Sequence, residues 1–155
     1  MTDDPSVDDF WRECRTVIDG LPEDAPEAWA FGATPEHADG LLALVLAGTK
    51  TATASSLWDY EHTGEELPTV GLLNIILDGR GAPRALLETT AIAVVPFDEV
   101  TAEHAFKEGE GDRTLAHWRE VHERYWRTHS ESPRGFAPDM PVVCEELRLL
   151  HAAQA

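Results

Sequence analysis

The segment Gly48-Thr49-Lys50-Thr51-Ala52-Thr53-Ala54-Ser55 sets one lysine among three threonines and a serine. It contains no acidic residue, although the chain has 29 Asp and Glu against 12 Lys and Arg. A neutral Lys50 can take the proton of the Thr53 hydroxyl and make it a nucleophile, and burial favours the neutral form of a lysine. A charged Lys50 can instead stabilise an oxyanion or bind a phosphate. Alternatively, Lys50 is an exposed charge at the start of a strand, and neither Lys50 nor Thr53 takes part in a reaction.

A second candidate for acid–base chemistry is the pair His104 and Glu108. Four residues apart on a helix, the two side chains face the same way. They can form a surface pair, supply a general acid, or bind a metal. The seven histidines form no His-Glu-x-x-His motif and no tight cluster. We therefore predict no metal site and no cofactor.

Three more side chains are candidates for substrate binding. Arg113 follows the turn Gly109-Glu110-Gly111-Asp112 and can contact an anion. This turn lacks the ligand pattern of a calcium loop and the Gly-Lys-Ser/Thr of a nucleotide loop. Trp29 and Phe31 lie in a predicted loop over residues 22–32, where they either pack into the core or stack on a base.

Helices must position these residues. A first helix after Ser6 is predicted from one apolar face, which consists of Phe10, Trp11, Cys14, Val17 and Ile18. A second begins at Pro35 with Thr34 as its N-cap and ends at Gly48, and its buried face consists of Ala38, Leu41, Leu42, Val45 and Leu46. Lys50 thus follows a helix directly, and a short strand, residues 51–54, comes next. Lys50 points away from Thr53 in a regular strand, and a turn or bulge can bring the two together.

The remaining chain predicts a hairpin, two helices and a last strand. Residues 56–68 are polar and expected to be mobile, and a strand from Val70 to Leu77 turns at Asp78-Gly79-Arg80-Gly81. The later elements are a return strand over 84–95, a helix over 102–108 capped by Thr101, a helix with Leu115, Trp118, Val121, His122 and Tyr125 on one face, and a strand over 142–150. This order predicts an α+β fold with a small mixed sheet or partly closed barrel. We predict one domain over residues 8–151 after a disordered tail, residues 1–7.

Charge narrows the class of partner. The net charge of -17 opposes binding to duplex DNA or to an anionic membrane surface, while a local pocket can still accept a nucleoside or a short single-stranded RNA. Cys14 and Cys144 lie far apart without zinc spacing, which indicates reduced, buried thiols. The acidic N-terminus is unlike a signal peptide, and the apolar run Leu41–Ala47 is too short to span a bilayer. We expect a cytoplasmic protein. The sequence predicts no particular oligomeric state.

Taken together, segments along nearly the whole chain resemble the ASCH family (activating signal cointegrator homology), especially its longer bacterial form. The segments that carry the resemblance are Trp29-Ala30-Phe31-Gly32, Ala38-Asp39, residues 46–53, residues 96–101, His104-Ala105, residues 108–112, Trp118-Arg119-Glu120 and residues 141–145. The family pattern Gly-x-Lys-x-x-Thr-x-Arg matches Gly48, Lys50 and Thr53. Ser55 stands in place of the arginine, so an anion contact at this substrate-binding position is in doubt.

The resemblance implies a PUA-like fold, a small β-barrel surrounded by helices. One branch of the family hydrolyses N4-acetylcytidine and related acylated cytidines, which implies Lys50 as base, Thr53 as nucleophile and Glu108 as proton donor. Another branch is associated with ribonuclease activity on single-stranded RNA. A non-catalytic module that binds RNA or a nucleobase through Trp29, Phe31 and Lys50 is the third possibility.

Overall fold

A computed structural model describes residues 6–153 of the chain. Its helices are α1 (Val7–Val17), α2 (Pro35–Leu46), α3 (Leu57–Thr63), α4 (Ala102–Glu108) and α5 (Leu115–His129), with a 3-10 turn at Phe97–Glu99. Its strands are β1 (Ala28–Trp29), β2 (Ala52–Ser56), β3 (Leu73–Leu77), β4 (Pro83–Pro96) and β5 (Pro141–Ala152). The strands form one sheet in the order β1-β3-β4-β5-β2. Only β1 and β3 run parallel. The predicted α+β class is confirmed.

The predicted barrel is wrong, because the sheet stays open. Its two edge strands, β1 and β2, do not pair within the described part of the chain. Both are short, with two and five residues, and β2 runs directly into α3. Residues of both edge strands instead line one cavity.

Helix α1 begins earlier than the predicted tail allows. Ser6 is its N-cap, with Oγ accepting a hydrogen bond from the Asp9 amide, and Val7 is its first residue. Residues 1–5 of that tail lie outside the described part. Phe10, Trp11 and Cys14 are buried as predicted, whereas Val17 is 60% exposed at the last turn.

Helix α2 confirms its predicted start and end. Thr34 Oγ1 accepts from the His37 amide, and Gly48 adopts a left-handed φ of 80° just after the helix. The predicted buried face is correct except for Leu46, which is 42% exposed because the helix ends there. Lys50 therefore follows a fixed helix end.

Three predicted segments differ in the structure. Trp29 belongs to a strand rather than a loop, since residues 28–29 pair with Ile75 and Ile76 of β3. The segment expected to be mobile contains helix α3, which ends at Gly64 in the left-handed conformation. Strand β3 begins at Leu73 rather than Val70, because the chain turns between Thr69 and Leu72.

The predicted hairpin and final strand are confirmed. Strand β4 pairs with β3 on one side and with β5 on the other, and Asp78 Oδ1 accepts the amides of Arg80 and Ala82 in the turn. A cluster of buried hydrophobic side chains from α3, α4, α5 and β5, with Trp58, Trp118 and Trp126 among them, packs on the sheet near β2. No helix within residues 6–153 has the length and apolar character needed to cross a membrane.

Candidate active site

A cavity of about 490 Å³ lies beside β2 and collects most of the predicted site residues. This volume is typical of small-molecule sites. The three predicted catalytic residues, Lys50, Thr53 and Glu108, line it together. The predicted binding residues that also line it are Trp29, Phe31 and Ser55.

The main chain at Lys50 is held between two helices. The amides of Thr49 and Lys50 donate to Leu44 O at the end of α2, and the Thr51 amide donates to Lys107 O at the end of α4. From this fixed point, Lys50 Nζ donates to Ala52 O at 2.9 Å and to Glu108 O at 3.4 Å. The side chain thus reaches the main chain at the start of β2 and at the end of α4.

Two carboxylates flank the buried lysine. Lys50 Nζ lies 3.7 Å from Glu108 Oε1 and 3.6 Å from Glu110 Oε2. Gly109 separates these glutamates and adopts a left-handed φ of 75°. The lysine also lies 5.4 Å from the centre of the Phe31 ring, a distance that permits a cation–π interaction. The segment without acidic residues therefore finds its acidic partners 58 and 60 positions later in the chain.

Glu108 is fully buried and is held by donors on both oxygens. Oε2 lies 2.6 Å from His104 Nε2 and accepts from Trp118 Nε1 at 2.6 Å. Oε1 faces His122 Nε2 at 3.3 Å as well as Lys50 Nζ. The predicted i, i+4 pair of His104 and Glu108 is present, but it is buried rather than on the helix surface.

This network fixes the charge of Glu108. Burial raises the pKa of Glu108, but the hydrogen bonds from His104 and His122 and the charges of His122 and Lys50 lower it well below its ordinary value. Burial lowers the pKa of His122, but the hydrogen bond and charge of Glu108, with the charge of Glu110, raise it above its ordinary value. His122 Nδ1 donates to Trp118 O at 2.8 Å, so both ring nitrogens face acceptors. An imidazolium facing a carboxylate satisfies both partners.

Thr53 is half-buried and its hydroxyl makes no hydrogen bond among residues 6–153. In particular, no direct hydrogen bond joins it to Lys50 Nζ. It is paired across the sheet with Glu145 of β5. Two positions along β2, Ser55 Oγ lies 3.1 Å from the hydroxyl of Tyr60. Thr53 thus offers a free hydroxyl, whereas the Ser55 hydroxyl is already engaged.

Trp29 and Phe31 form one wall of the cavity, with ring centres 4.8 Å apart in an edge-to-face arrangement. Trp29 Nε1 donates to Asn74 Oδ1 at 2.9 Å. Because an indole only donates, this contact identifies the Asn74 oxygen and leaves its amide N–H groups available at the cavity. The wall combines an aromatic surface with a hydrogen-bond donor.

Glu145 is a buried carboxyl group that lines the same cavity. Thr89 Oγ1 donates to its Oε1 at 3.1 Å. Burial raises the pKa of Glu145 above its ordinary value, and the Thr89 hydrogen bond offsets part of the rise. Glu108 and Glu145 thus lie in one cavity with opposite pKa shifts.

Arg113 is not brought to the cavity. Its guanidinium donates to Phe106 O at 3.0 Å and to Thr49 O at 3.3 Å, and it stacks 3.6 Å over the Phe106 ring. Arg113 itself adopts a left-handed φ of 66°. It joins the turn after α4 to the segment before β2. The structure therefore gives it a role in connecting these segments, and places it away from the predicted substrate contact.

One group of side chains has the spacing of metal ligands. Ligand atoms of Glu108, Glu110 and His122 lie within 4.8 Å of one another. Lys50 Nζ contacts both of these carboxylates, so its cationic form supplies the charge that a metal would supply. A metal binding there must displace the lysine from between the glutamates.

The thiols take no part in this chemistry. Cys14 and Cys144 are both free and buried, as predicted. Burial, with the nearby charges of Glu108 and Glu145, raises the pKa of Cys144 to about 12. A thiol with that pKa supplies little thiolate at neutral pH.

The open five-stranded sheet and its five helices define a mixed α+β domain, with a buried lysine and its glutamate partners beside the edge strand β2. A family model described as ASCH domain matches residues 27–151. The chain belongs to the ASCH domain family, and membership suggests hydrolysis or binding related to RNA.

Solved structures agree with this assignment. A crystal structure of a protein from Enterococcus faecalis V583 is 35% identical, with a TM-score of 0.86, and the match covers 94% of this chain and 88% of that one. A crystal structure of an ASCH domain from Lactobacillus crispatus JV V101 is 26% identical, with a TM-score of 0.83, and 91% of each chain is covered. Among curated proteins, no match was found.

Several residues of the site were missed from the sequence. The sequence pattern places Glu110 in a turn and His122 on an apolar helix face, and it predicts no site role for either. A histidine between Trp118 and Tyr125 on that face was a usable signal, because a buried histidine needs a polar partner. Glu145 follows three apolar residues in β5, and its burial depends on the register with Thr53.

Proposed function

We propose that this protein hydrolyses N4-acylated cytidine-type nucleosides to cytidine and a carboxylate. The observation that carries the proposal is the convergence of Lys50, Thr53 and Glu108 in one cavity, where the segment leading into β2 meets the end of α4. The family resemblance implies the reaction, and the structure has a free hydroxyl and a buried lysine that line the same cavity.

The proposed reaction proceeds through an ester of Thr53. Lys50 first releases one proton of its ammonium group to solvent, and its neutral form then accepts the hydroxyl proton as Thr53 Oγ1 forms a bond to the acyl carbon. The tetrahedral intermediate collapses with cleavage of the bond between the acyl carbon and N4. The proton passes to the departing nitrogen and cytidine leaves. Water then hydrolyses the ester, giving the carboxylate and free Thr53.

Glu108 takes a different role in this proposal from the proton donor that the resemblance implies. Its carboxylate accepts from His104 and Trp118, and its pKa is lowered, so it has no proton to give at neutral pH. It instead holds Lys50 Nζ at the cavity wall. Glu108 is thus a positioning residue for the base.

The charge of the cavity favours a neutral nucleoside over a polynucleotide. Seven glutamates line it: Glu27, Glu65, Glu66, Glu108, Glu110, Glu131 and Glu145. Lys50 is the one lysine or arginine among the described residues that line it. Phosphate groups bind to proteins mainly through such cations, so this cavity disfavours an RNA backbone. Ser55 and Arg113 add no cation there.

The test is turnover of N4-acetylcytidine by the purified protein, followed by chromatography of cytidine. Thr53→Val removes the hydroxyl at constant volume and should lower the rate by at least about 10³-fold, while Thr53→Ser retains activity. Both variants should unfold like the wild type, because this hydroxyl makes no hydrogen bond in the described structure. Equal turnover by wild type and Thr53→Val would overturn the mechanism.

The two other functions are distinct outcomes of the same experiment. A ribonuclease would leave N4-acetylcytidine intact and cleave labelled single-stranded RNA. A binding module would quench tryptophan fluorescence on titration with cytidine and release no product, since Trp29 lines the cavity. Either result would replace the proposal.

A further inference from the structure

Glu145 is a buried carboxyl group to which the proposed reaction gives no role. It lies directly opposite Thr53 in the antiparallel pair of β2 and β5, and both side chains line the cavity. Directly opposite Cβ atoms in such a pair are about 4.5–5.5 Å apart. A ligand atom bound by Glu145 is therefore close to the ligand atom that Thr53 reaches.

The contacts of Glu145 leave half of its hydrogen-bonding capacity open. The Thr89 hydroxyl donates to Oε1, and among residues 6–153 no lysine, arginine or histidine pairs with either oxygen. Burying an unpaired carboxylate costs free energy, so packing does not explain a glutamate here. A neutral carboxyl offers one O–H donor beside one acceptor oxygen. Its complement is a ligand edge with an acceptor beside an N–H.

We infer that Glu145 binds the N3–N4 edge of the cytosine-type base as a neutral carboxyl group. Its O–H donates to ring N3, and its second oxygen accepts the N–H that an acyl substituent leaves on N4. This places the acyl carbon, one bond beyond N4, on the side of Thr53. The inference rests on the proposed function for the base it names, and it adds the residue that selects that base.

Other titratable groups face the same cavity and must be separated from Glu145. The basic ones are Lys50, His37 and His122. The acidic ones are Glu27, Glu65, Glu66, Glu108, Glu110 and Glu131. Two tyrosines, Tyr60 and Tyr125, complete the set. All of these groups are retained in a Glu145 variant. Their titration therefore affects variant and wild type alike, and its effect cancels to first order in the ratio of the two activities.

The first experiment compares Glu145→Gln with Glu145→Ala on N4-acetylcytidine. Glutamine keeps a donor beside an acceptor and does not ionise, so its KM should stay within about threefold of wild type under acidic conditions. Alanine should raise KM roughly ten- to hundredfold, the effect of losing a paired base contact. The control is Glu146→Gln. Glu146 pairs with Lys107 outside the cavity, so this substitution should leave KM unchanged.

The pH profile distinguishes recognition from packing. The contribution of Glu145 to binding should fall as pH rises through its raised pKa, because the ionised form repels N3. The ratio of Glu145→Gln to wild type should therefore increase with pH. A ratio independent of pH, or an unchanged KM in Glu145→Ala, would overturn the inference.

Calorimetric binding of cytidine and 3-deazacytidine to the wild type needs no variant. The deaza compound has C–H in place of N3 and should bind roughly tenfold or more weakly. Tighter binding of cytidine than of 3-deazacytidine, without turnover of N4-acetylcytidine, would support recognition of the base by Glu145 and overturn the proposed hydrolysis. Turnover with equal binding of both compounds would leave the hydrolysis and overturn the recognition.

Discussion

Lys50 Nζ and Glu108 Oε1 lie 3.7 Å apart, and the side chains are 2% and 1% exposed. The two residues are separated by 58 positions in the chain. A buried ion pair of this kind is sensitive to the loss of one partner, because the other charge is left without compensation. The pair therefore links the stability of the domain to the geometry of its cavity.

Replacing the lysine tests both properties at once. Lys50→Met should abolish turnover of N4-acetylcytidine and lower the free energy of unfolding by about 3–5 kcal/mol, since Glu108 and Glu110 lose their cation. Lys107→Met is the matched control. Its pairs with Glu103 and Glu146 are accessible to solvent, so their loss should affect stability much less. Urea unfolding measures the loss of stability, and chromatography of cytidine measures the loss of turnover. Turnover retained by Lys50→Met would exclude Lys50 as the base.

The pH dependence of stability follows from Glu108 and His122. The lowered pKa of Glu108 adds stability that is present above 4.5, its ordinary value, and is lost as pH falls through the folded-state pKa. The raised pKa of His122 adds stability that is present below 6.5, its ordinary value, and is lost as pH rises through the folded-state pKa. Both contributions are complete between pH 4.5 and 6.5. His122→Gln should remove the loss at alkaline pH.

The measurement is urea unfolding across the pH range for wild type, His122→Gln and His129→Gln. His129 is exposed at the end of α5, so its replacement should leave the curve unchanged. Identical pH curves for His122→Gln and wild type would show that His122 does not titrate against Glu108.

Trp118→Phe removes the indole donor to Glu108 Oε2 and keeps an aromatic ring in the core. A hydrogen bond to a buried charged group contributes about 1.5–3 kcal/mol. Trp126→Phe is the matched control, because Trp126 lies in the same cluster and makes no side-chain hydrogen bond in the described part of the chain. We expect Trp118→Phe to lower the free energy of unfolding more than the control by that amount. Equal losses would contradict the assigned hydrogen bond.

Gly109→Ala tests the turn that sets the two glutamates around Lys50. A Cβ there would lie 2.6 Å from Thr49 O, and φ is 75°. Gly64→Ala has the same φ with open space around its Cβ, so it should cost only the strain of about 1–2 kcal/mol. Gly109→Ala should cost more and should also reduce turnover, because the segment before Lys50 must move. Thermal unfolding and rate assays measure both effects. If the contact with Thr49 O is unimportant, Gly109→Ala and Gly64→Ala would have equal effects.

Much of the scaffold was predictable from local patterns. Thr34 and Thr101 cap their helices as predicted, and Gly48 ends α2 before Lys50. These features depend on a few neighbouring residues, so a single sequence reveals them. Strand β1 was missed because two residues show no alternation, and the barrel was wrong because edge pairing is decided by distant segments.

The site was predictable only in part for the same reason. The i, i+4 spacing of His104 and Glu108 was visible along one helix. The approach of Glu110 to Lys50 depends on the packing of α4 beside β2, and the pairing of Glu145 with Thr53 depends on strand register. Both glutamates look like ordinary surface acids in the sequence. Burial, which tertiary packing alone creates, gives them a chemical role.

The glutamates around the cavity also bear on how a catalytic cycle would end. In the proposed reaction a neutral amide enters, and one of the two products is an anion. That anion forms in a cavity in whose described lining the glutamates outnumber the one lysine, Lys50, so the net charge that faces it is negative. Electrostatic repulsion should speed its departure and weaken product inhibition. The acidic lining would thus favour release of the acid product after each turnover.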